Sequence, residues 1–351
     1  MLAGAAGLAA GGSAQARLPQ GYPRSYASLQ AQAAREGRLV IYSTAYDVDM
    51  VGVLKGFQVQ NPGVRVDFQH VVATELYARL VREVDAGTPS ADLLFSSAMD
   101  GQIKLVNDGY AQPYASPEKA HLPPWAVWKN EAYGVTAEPI VFAYNRRLLS
   151  AAEAPRSHDQ LEWLLRRKAA AYTGRVGTYD VTRSGAGFLF FTQDVQISHD
   201  TWNLIRALGR TRPVLDVNGH DILARVSAGK QSMAYNQMSS YALERQASDP
   251  TLEVVFPEDY TLVMSRIAFI SKEARHPAAA KLFLDFLLSA TGQGLLAQRF
   301  MSPVRVDMAA PLPHANPQAM RAIHVGPSLL ASLDRLKYAR LIADWRKQLA
   351  A

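Results

Sequence analysis

The chain has 351 residues, about two average domains, and its 48% hydrophobic content suits a globular protein with real cores. Its formal charge of +6, from 37 basic against 31 acidic residues, is scattered, with no basic run longer than Arg166-Arg167-Lys168; this argues against a nucleic-acid partner and leaves a mild general attraction for anions. The absence of cysteine excludes disulfides, thiolate metal sites, a cysteine nucleophile and a lipid-anchored cysteine.

Residues 1–16, MLAGAAGLAAGGSAQA, are small and apolar and end in Ala14-Gln15-Ala16, the form signal peptidase accepts, which predicts a signal peptide or part of one. No later stretch reaches the roughly 18 uninterrupted apolar residues of a membrane span. A short helix is predicted over Ser28 to Arg35, then a buried strand Arg38-Leu-Val-Ile-Tyr-Ser43. An amphipathic run with Val51, Leu54 and Phe57 breaks at Asn61-Pro62-Gly63, before Val64-Arg-Val-Asp-Phe68 alternates with period two. The β-α-β unit is followed by a helix over Glu75 to Val84, the strand Asp92-Leu-Leu-Phe95 and a helix from Met99 to Asn107. Parallel strands flanked by helices define an α/β fold. Ile140-Val-Phe-Ala-Tyr144 and Leu262-Val-Met-Ser-Arg-Ile-Ala-Phe-Ile270 are apolar enough to read as central crossing strands. They enclose a second strand and helix series from Gly177 to Phe256, assigned to a second lobe.

Three stretches together carry a family resemblance. The first is Leu39-Val-Ile-Tyr-Ser-Thr44 with Gly56-Phe57 and Asn61-Pro62-Gly63-Val64; the second is Ala91-Asp92-Leu-Leu-Phe-Ser-Ser97 with Gly109-Tyr110 and Pro113-Tyr114. The most specific is His276-Pro277-Ala-Ala-Ala-Lys-Leu-Phe283, continued by Asp285-Phe-Leu-Leu-Ser289, Thr291-Gly-Gln293 and Ser302-Pro303-Val304-Arg305. Over residues 38 to 306 the chain resembles the family 1 extracellular solute-binding proteins of ABC importers, which include ferric-ion and phosphoglycerate-type binders. The resemblance implies a two-lobed periplasmic binding protein, type II-like, each lobe a sheet flanked by helices, with an interlobe ligand cleft. Residues 38–136 plus 266–351 form lobe 1 and 137–265 form lobe 2 in this reading. It further implies a periplasmic monomer, without a cofactor, that delivers a small-molecule anion to an ABC permease in the inner membrane.

In doubly wound sheets, ligands settle beyond the carboxyl ends of strands, where helix N-termini present free N–H groups. Three loops have that form: Ser43-Thr44 with Tyr46 beyond it, Ser96-Ser97, and Thr182 to Gly187. In the last, Gly185 admits close backbone approach, Ser184 offers a hydroxyl and Arg183 can fork onto phosphate or carboxylate oxygens. A fourth candidate, Ala234 to Tyr241, offers Asn236, Gln237, Ser239 and Ser240 as neutral donors. Glu138, before Pro139, completes the expected site. Tyr46, Trp125, Trp128 and Tyr260 are candidate stacking walls, against the plainer reading of each as core or rim.

Ferric binders of this family carry adjacent tyrosines where this sequence has Met238-Ser239, and their histidine after the first strand corresponds to Tyr46. The alternative of a ferric site therefore rests on Tyr46, Glu75, Glu138 and Tyr241. A second alternative is a periplasmic sensor feeding a two-component kinase. For an enzyme, the sequence offers no G-x-S-x-G, no H-E-x-x-H and no paired histidines among its eight; Ser116-Pro-Glu-Lys119 matches S-x-x-K without a K-T-G.

Overall fold

The computed structural model describes residues 21–309, 312 and 315–351; the expected signal peptide lies outside the described residues. Two sheets organise the chain. The first contains β1 (Arg38–Ser43), β2 (Arg65–His70), β3 (Leu93–Ser96), β4 (Val127–Trp128), β5 (Ala132–Gly134) and β12 (Ile267–Ile270), in the order β2-β1-β3-β12-β5-β4. The second is built from β6 (Glu138–Asn145), β7 (Val176–Tyr179), β8 (Val214–Asp216), β9 (Met233–Met238), β10 (Leu252–Val255), β11 (Thr261–Met264) and β13 (Met320–Ala322). Its path is β13-β11-β6-β9-β7-β8, with β10 antiparallel to β6. Parallel pairs β1·β2, β1·β3, β7·β8 and β7·β9 put the carboxyl ends of these strands on one edge of each sheet.

The first lobe is covered by α1 (Tyr26–Glu36), α2 (Asp47–Gln60), α3 (Ala73–Asp85), α4 (Met99–Asn107), α10 (Pro277–Leu288) and α11 (Ala290–Ala297). Proline at the first position of α10 costs no hydrogen bond, and His276 before it is held by Asp92, whose carboxylate accepts from both its backbone N–H and its Nδ1, each at 2.8 Å. Phe57, Phe95, Phe283 and Leu287 form the core beneath. The second lobe carries α5 (His158–Arg167), α6 (Gly185–Ile197), α7 (Thr201–Arg210), α8 (Gly219–Ser227), α9 (Ser239–Ser248) and α12 (Arg335–Leu349) over a core that includes Phe142, Leu165, Phe191 and Leu208.

Two expectations need correction. The run Leu262–Ile270 is not one crossing strand: β11 belongs to the second sheet and β12 to the first, and the chain changes sheet at Ser265-Arg266. The polar pair at the change of sheet is itself buried between two apolar halves buried on both faces, so the stretch reads as one strand. The C-terminal segment, expected in lobe 1, leaves it at Met320: β13 runs parallel to β11, and α12 packs on α7 with Ile342 and Trp345 in the second core. Residues 325–332 return to the first lobe: Val325 N donates to Trp125 O at 2.8 Å, and Pro327–Ser332 rests against α4. The amphipathic helix needs an apolar partner, and the sequence does not say which lobe supplies it. Ser116 is tied down in the first lobe: it caps the short turn Pro117–His121 and donates to Asp285 at 2.6 Å.

The chain passes between lobes at residues 135–137, at 265–266 and again on its way to β13, and one buried ion pair joins the first two of these crossings. Arg266 and Glu138 are both fully buried; Arg266 Nε donates to Glu138 Oε1 at 2.8 Å and its Nη2 to Oε2 at 3.2 Å. Thr136 and Ser240 donate to the same carboxylate. Burial pushes the Glu138 carboxyl up, but Arg266 and these hydroxyls more than offset it and hold it below the usual range. Glu138→Ala leaves a buried guanidinium unpaired and is expected to cost about 3–5 kcal/mol in urea unfolding, with much of the loss recovered in Glu138→Ala/Arg266→Met. Equal midpoints for Glu138→Ala and wild type would contradict the pairing.

Candidate functional site

Between the lobes lies a cleft of about 580 Å³. Its walls come from the carboxyl edges of both sheets, so helices begin there. The N-cap residues of five helices line it: Tyr46 of α2, Val72 of α3, Ser184 of α6, Asn218 of α8 and Met238 of α9. Ser97, directly before the N-cap of α4, lines it as well. The Ser184 hydroxyl accepts from Gly187 N at 3.1 Å, and Asn218 Oδ1 from His220 N at 2.9 Å. Tyr46, Val72 and Met238 make no side-chain capping bond, and Ala73 and Thr74, the first residues of α3, line the cleft, which leaves their N–H groups for a ligand.

Charge agrees with this arrangement. Arg183 is exposed on the cleft wall, with no ion-pair partner among the described residues. No aspartate or glutamate side chain lines the cleft among the described residues. The wall thus carries partial positive charge from helix ends, one free guanidinium and, among the described residues, no carboxylate.

Of the expected residues, Thr44, Tyr46, Ser97, Arg183, Ser184 and Gly185 line the cleft. Thr44 Oγ1 accepts from Ser97 N at 3.0 Å and donates to Ser96 Oγ at 3.2 Å; Ser43 and Ser96, both buried, accept from Ala45 N and Ala98 N. These two serines shape the loops beneath the wall. Asn236 is buried with φ +56 and donates to Asp194 at 2.7 Å, so it holds the backbone beside an irregularity in the β6·β9 pairing. Gln237, Ser239 and Ser240 are buried behind Met238, and Glu138 is committed to Arg266. Glu75 is exposed and pairs with Arg82 at 3.2 Å.

The ferric set is therefore split: only Tyr46 and Tyr241 line the cleft, and burial raises both phenols. No group of three or more metal-ligating His, Asp or Glu occurs among the described residues. Tyr260 does not line the cleft; it stacks on His158 at 4.0 Å in a separate cavity of about 500 Å³ on the outer face of α5 and α7. There Arg166 is matched by Glu162 and His158 by Asp259, so that surface offers balanced charge.

Sequence reasoning missed His70, Asn218, Gly219 and Tyr179 in the cleft wall. Asn218-Gly219-His220 ahead of Ile222, Leu223 and Val226 is the same cap-before-apolar-helix signal as Ser184-Gly185. His70 at the end of β2 carries no local signal. It stacks on Tyr46 at 4.6 Å, Tyr46 meets His220 of the opposite lobe at 5.2 Å, and His220 packs on Tyr241 at 4.0 Å. Arg299 of the first lobe also pairs with Glu244 of α9. Gly185 is close enough to the first lobe that an added Cβ would sit 3.3 Å from Ala98 Cβ. The lobes thus touch, as in a closed state.

Residues 53–322 match the family described as bacterial extracellular solute-binding protein, and the chain belongs to that family. The substrate-binding protein of an ABC transporter from Agrobacterium tumefaciens is 36% identical, with 89% of this chain and 94% of that chain covered and a TM-score of 0.83. Iron-bound HitA from Pseudomonas aeruginosa is 21% identical over 89% and 99% of the two chains, TM-score 0.72. AfuA from Actinobacillus pleuropneumoniae with fructose-6-phosphate bound is 22% identical over 89% and 98%, TM-score 0.74. The protein is a solute-binding protein of the ABC-transporter type, and no helix among the described residues is long and apolar enough to cross a membrane.

His220 ties closure to pH. Burial lowers its pKa below the ordinary 6.5, and the nearby Arg266 and Arg245 act in the same direction, against Asp49 and Glu244. A lowered pKa means that the closed contact is fully available above the ordinary value and is lost as pH falls through the closed-state value. Solution scattering is expected to give a larger radius of gyration near about pH 5.5 than near about pH 7.5, and His220→Gln to abolish the difference. A pH effect of equal size in His220→Gln would contradict this.

Proposed function

We propose that the protein is the periplasmic receptor of an ABC importer, a monomer that captures a small organic anion, phosphorylated or carboxylated, by closing its lobes around it. The observation that carries this reading is the convergence of five helix N-caps and Arg183 on a cleft with no carboxylate in its wall among the described residues. A trivalent cation needs anionic ligands, and the candidate carboxylates Glu75 and Glu138 are respectively exposed beside Arg82 and locked to Arg266. A phosphate or carboxylate needs donors, which helix ends supply without a desolvated counter-charge.

Closure gives the mechanism. The anion's oxygens accept from the first turn of α6 and from Arg183 in lobe 2, and from Thr44, Ser97 and the start of α3 in lobe 1. Binding both lobes at once favours the closed state by the free energy of the second set of contacts, and an inner-membrane permease recognises the closed pair.

A thermal-shift screen of organophosphates, carboxylates and Fe(III) is expected to single out anions, since a ligand at a hundred times its Kd adds about 2.7 kcal/mol of stability. Arg183→Ala is expected to weaken the best anion by about tenfold or more, the loss of a charge-assisted hydrogen bond. Unchanged affinity for every anion in both Arg183→Ala and Ser184→Ala would remove the basis of the reading.

A further inference from the structure

One interlobe contact lies apart from the cleft wall. Arg299 sits just past the end of α11 in the first lobe, and its Nη2 donates both to Glu244 of α9 in the second lobe and, at 3.4 Å, to Asp49 in the first turn of α2. The end of α11 is closed tightly: Phe300 N donates to Ala297 O at 3.0 Å and Met301 N to Leu296 O at 3.2 Å, the paired bonds of a helix C-terminal motif whose left-handed position is usually glycine. Phe300 takes that position at φ +58. The Arg299 backbone is thus fixed by its own helix end, and the reach across to the other lobe is made by the side chain.

Two atoms of this cluster are left over. Asp49 Oδ2 and Arg299 Nε are buried without a hydrogen-bond partner among the described residues, although their side chains already meet through Oδ1 and Nη2. One is an acceptor and the other a donor, and each costs free energy while unpaired. Nε and Nη2 form the edge of a guanidinium that forks onto both oxygens of a carboxylate, as Arg266 does on Glu138. A turn of the Arg299 guanidinium toward Asp49 satisfies both orphans, but it takes Nη2 off Glu244. While the lobes touch, Glu244 holds Nη2; once they part, nothing keeps it from Asp49.

We propose that Arg299 is a closure latch that exchanges partners: its bond to Glu244 holds the lobes closed, and a two-bond fork onto Asp49 stabilises the open state. The two carboxylates then act in opposite directions on one equilibrium, which an ion pair that merely stabilises the fold does not do. Both members of the Arg299–Glu244 pair are about a third exposed, at 32% and 31%, so the latch shifts the balance by a modest factor rather than locking it. The device does not depend on what fills the cleft, and it stands or falls separately from the anion reading.

The chain has no cysteine, so Ala78→Cys on α3 and Ala228→Cys at the end of α8, both exposed positions, give one spin-label site per lobe without background. Pulsed dipolar distance measurements on this labelled protein, free of solute, are expected to resolve a closed and an open population. Adding Glu244→Gln is expected to lower the closed-to-open ratio by about twofold to fivefold, and adding Asp49→Asn to raise it by a similar factor. In an Arg299→Met background neither substitution is expected to shift the ratio. Melting curves check that each variant folds; if Asp49→Asn does not, Glu244→Gln with and without Arg299→Met decides. A single population in the labelled parent overturns the latch, as do shifts of the same sign for the two carboxylates or a Glu244→Gln shift that persists without Arg299. No shift in Glu244→Gln overturns it as well. A shift in Glu244→Gln with none in folded Asp49→Asn overturns the exchange of partners and means that an ordered water serves the two leftover atoms.

Discussion

The Glu138–Arg266 pair is the constraint on which the two-lobed arrangement depends. The chain crosses between sheets near residue 136 and near residue 265, and a fully buried, bidentate ion pair fastens one crossing to the other. A buried pair of this kind adds little net stability compared with an apolar substitute, but it is costly to break. It therefore specifies which segments lie side by side at the hinge. From Arg266 a chain of contacts runs outward: its guanidinium lies 5.4 Å from the Tyr241 ring, Tyr241 packs on His220, His220 on Tyr46, and Tyr46 on His70 at the cleft wall. Hinge and cleft thus share one polar and aromatic spine, and the interlobe step in it is the single contact between Tyr46 and His220.

The cleft follows from topology. Parallel strands end on one edge, helices start there, and two such edges face each other; the electrostatic character of the site is set before any ligand-specific side chain is chosen. Proteins of the same fold hold different solutes: HitA is iron-bound and AfuA has fructose-6-phosphate bound. In this cleft, among the described residues, the arginine is Arg183 alone and the β9–α9 junction is Met238-Ser239.

Much of this was legible in the sequence, where the information is local. Strand β1 is legible as a buried apolar run, helix α4 stops short of Gly109, and Ser184-Gly185 announces a cap that lines the cleft. Glu138 was misread as a ligand because its partner lies 128 residues away, and a glutamate before a proline looks the same whether it faces solvent, solute or a buried arginine. Asn236, between apolar strand and polar helix start, likewise showed its type but not its direction; Asp194 decides that. The division of Leu262–Ile270 between two sheets and the return of α12 to the second lobe depend on long-range packing, for which periodicity carries no signal.

The most direct measurement is a crystal structure of the protein with its tightest solute from the screen. The account predicts an anionic group in the interlobe cleft, within hydrogen-bond distance of Arg183 and the first turn of α6, with contacts to Thr44 or Ser97 from the other lobe. A metal ion held by Tyr46 and Tyr241, or a solute seated outside the cleft against α5 and α7, would contradict it.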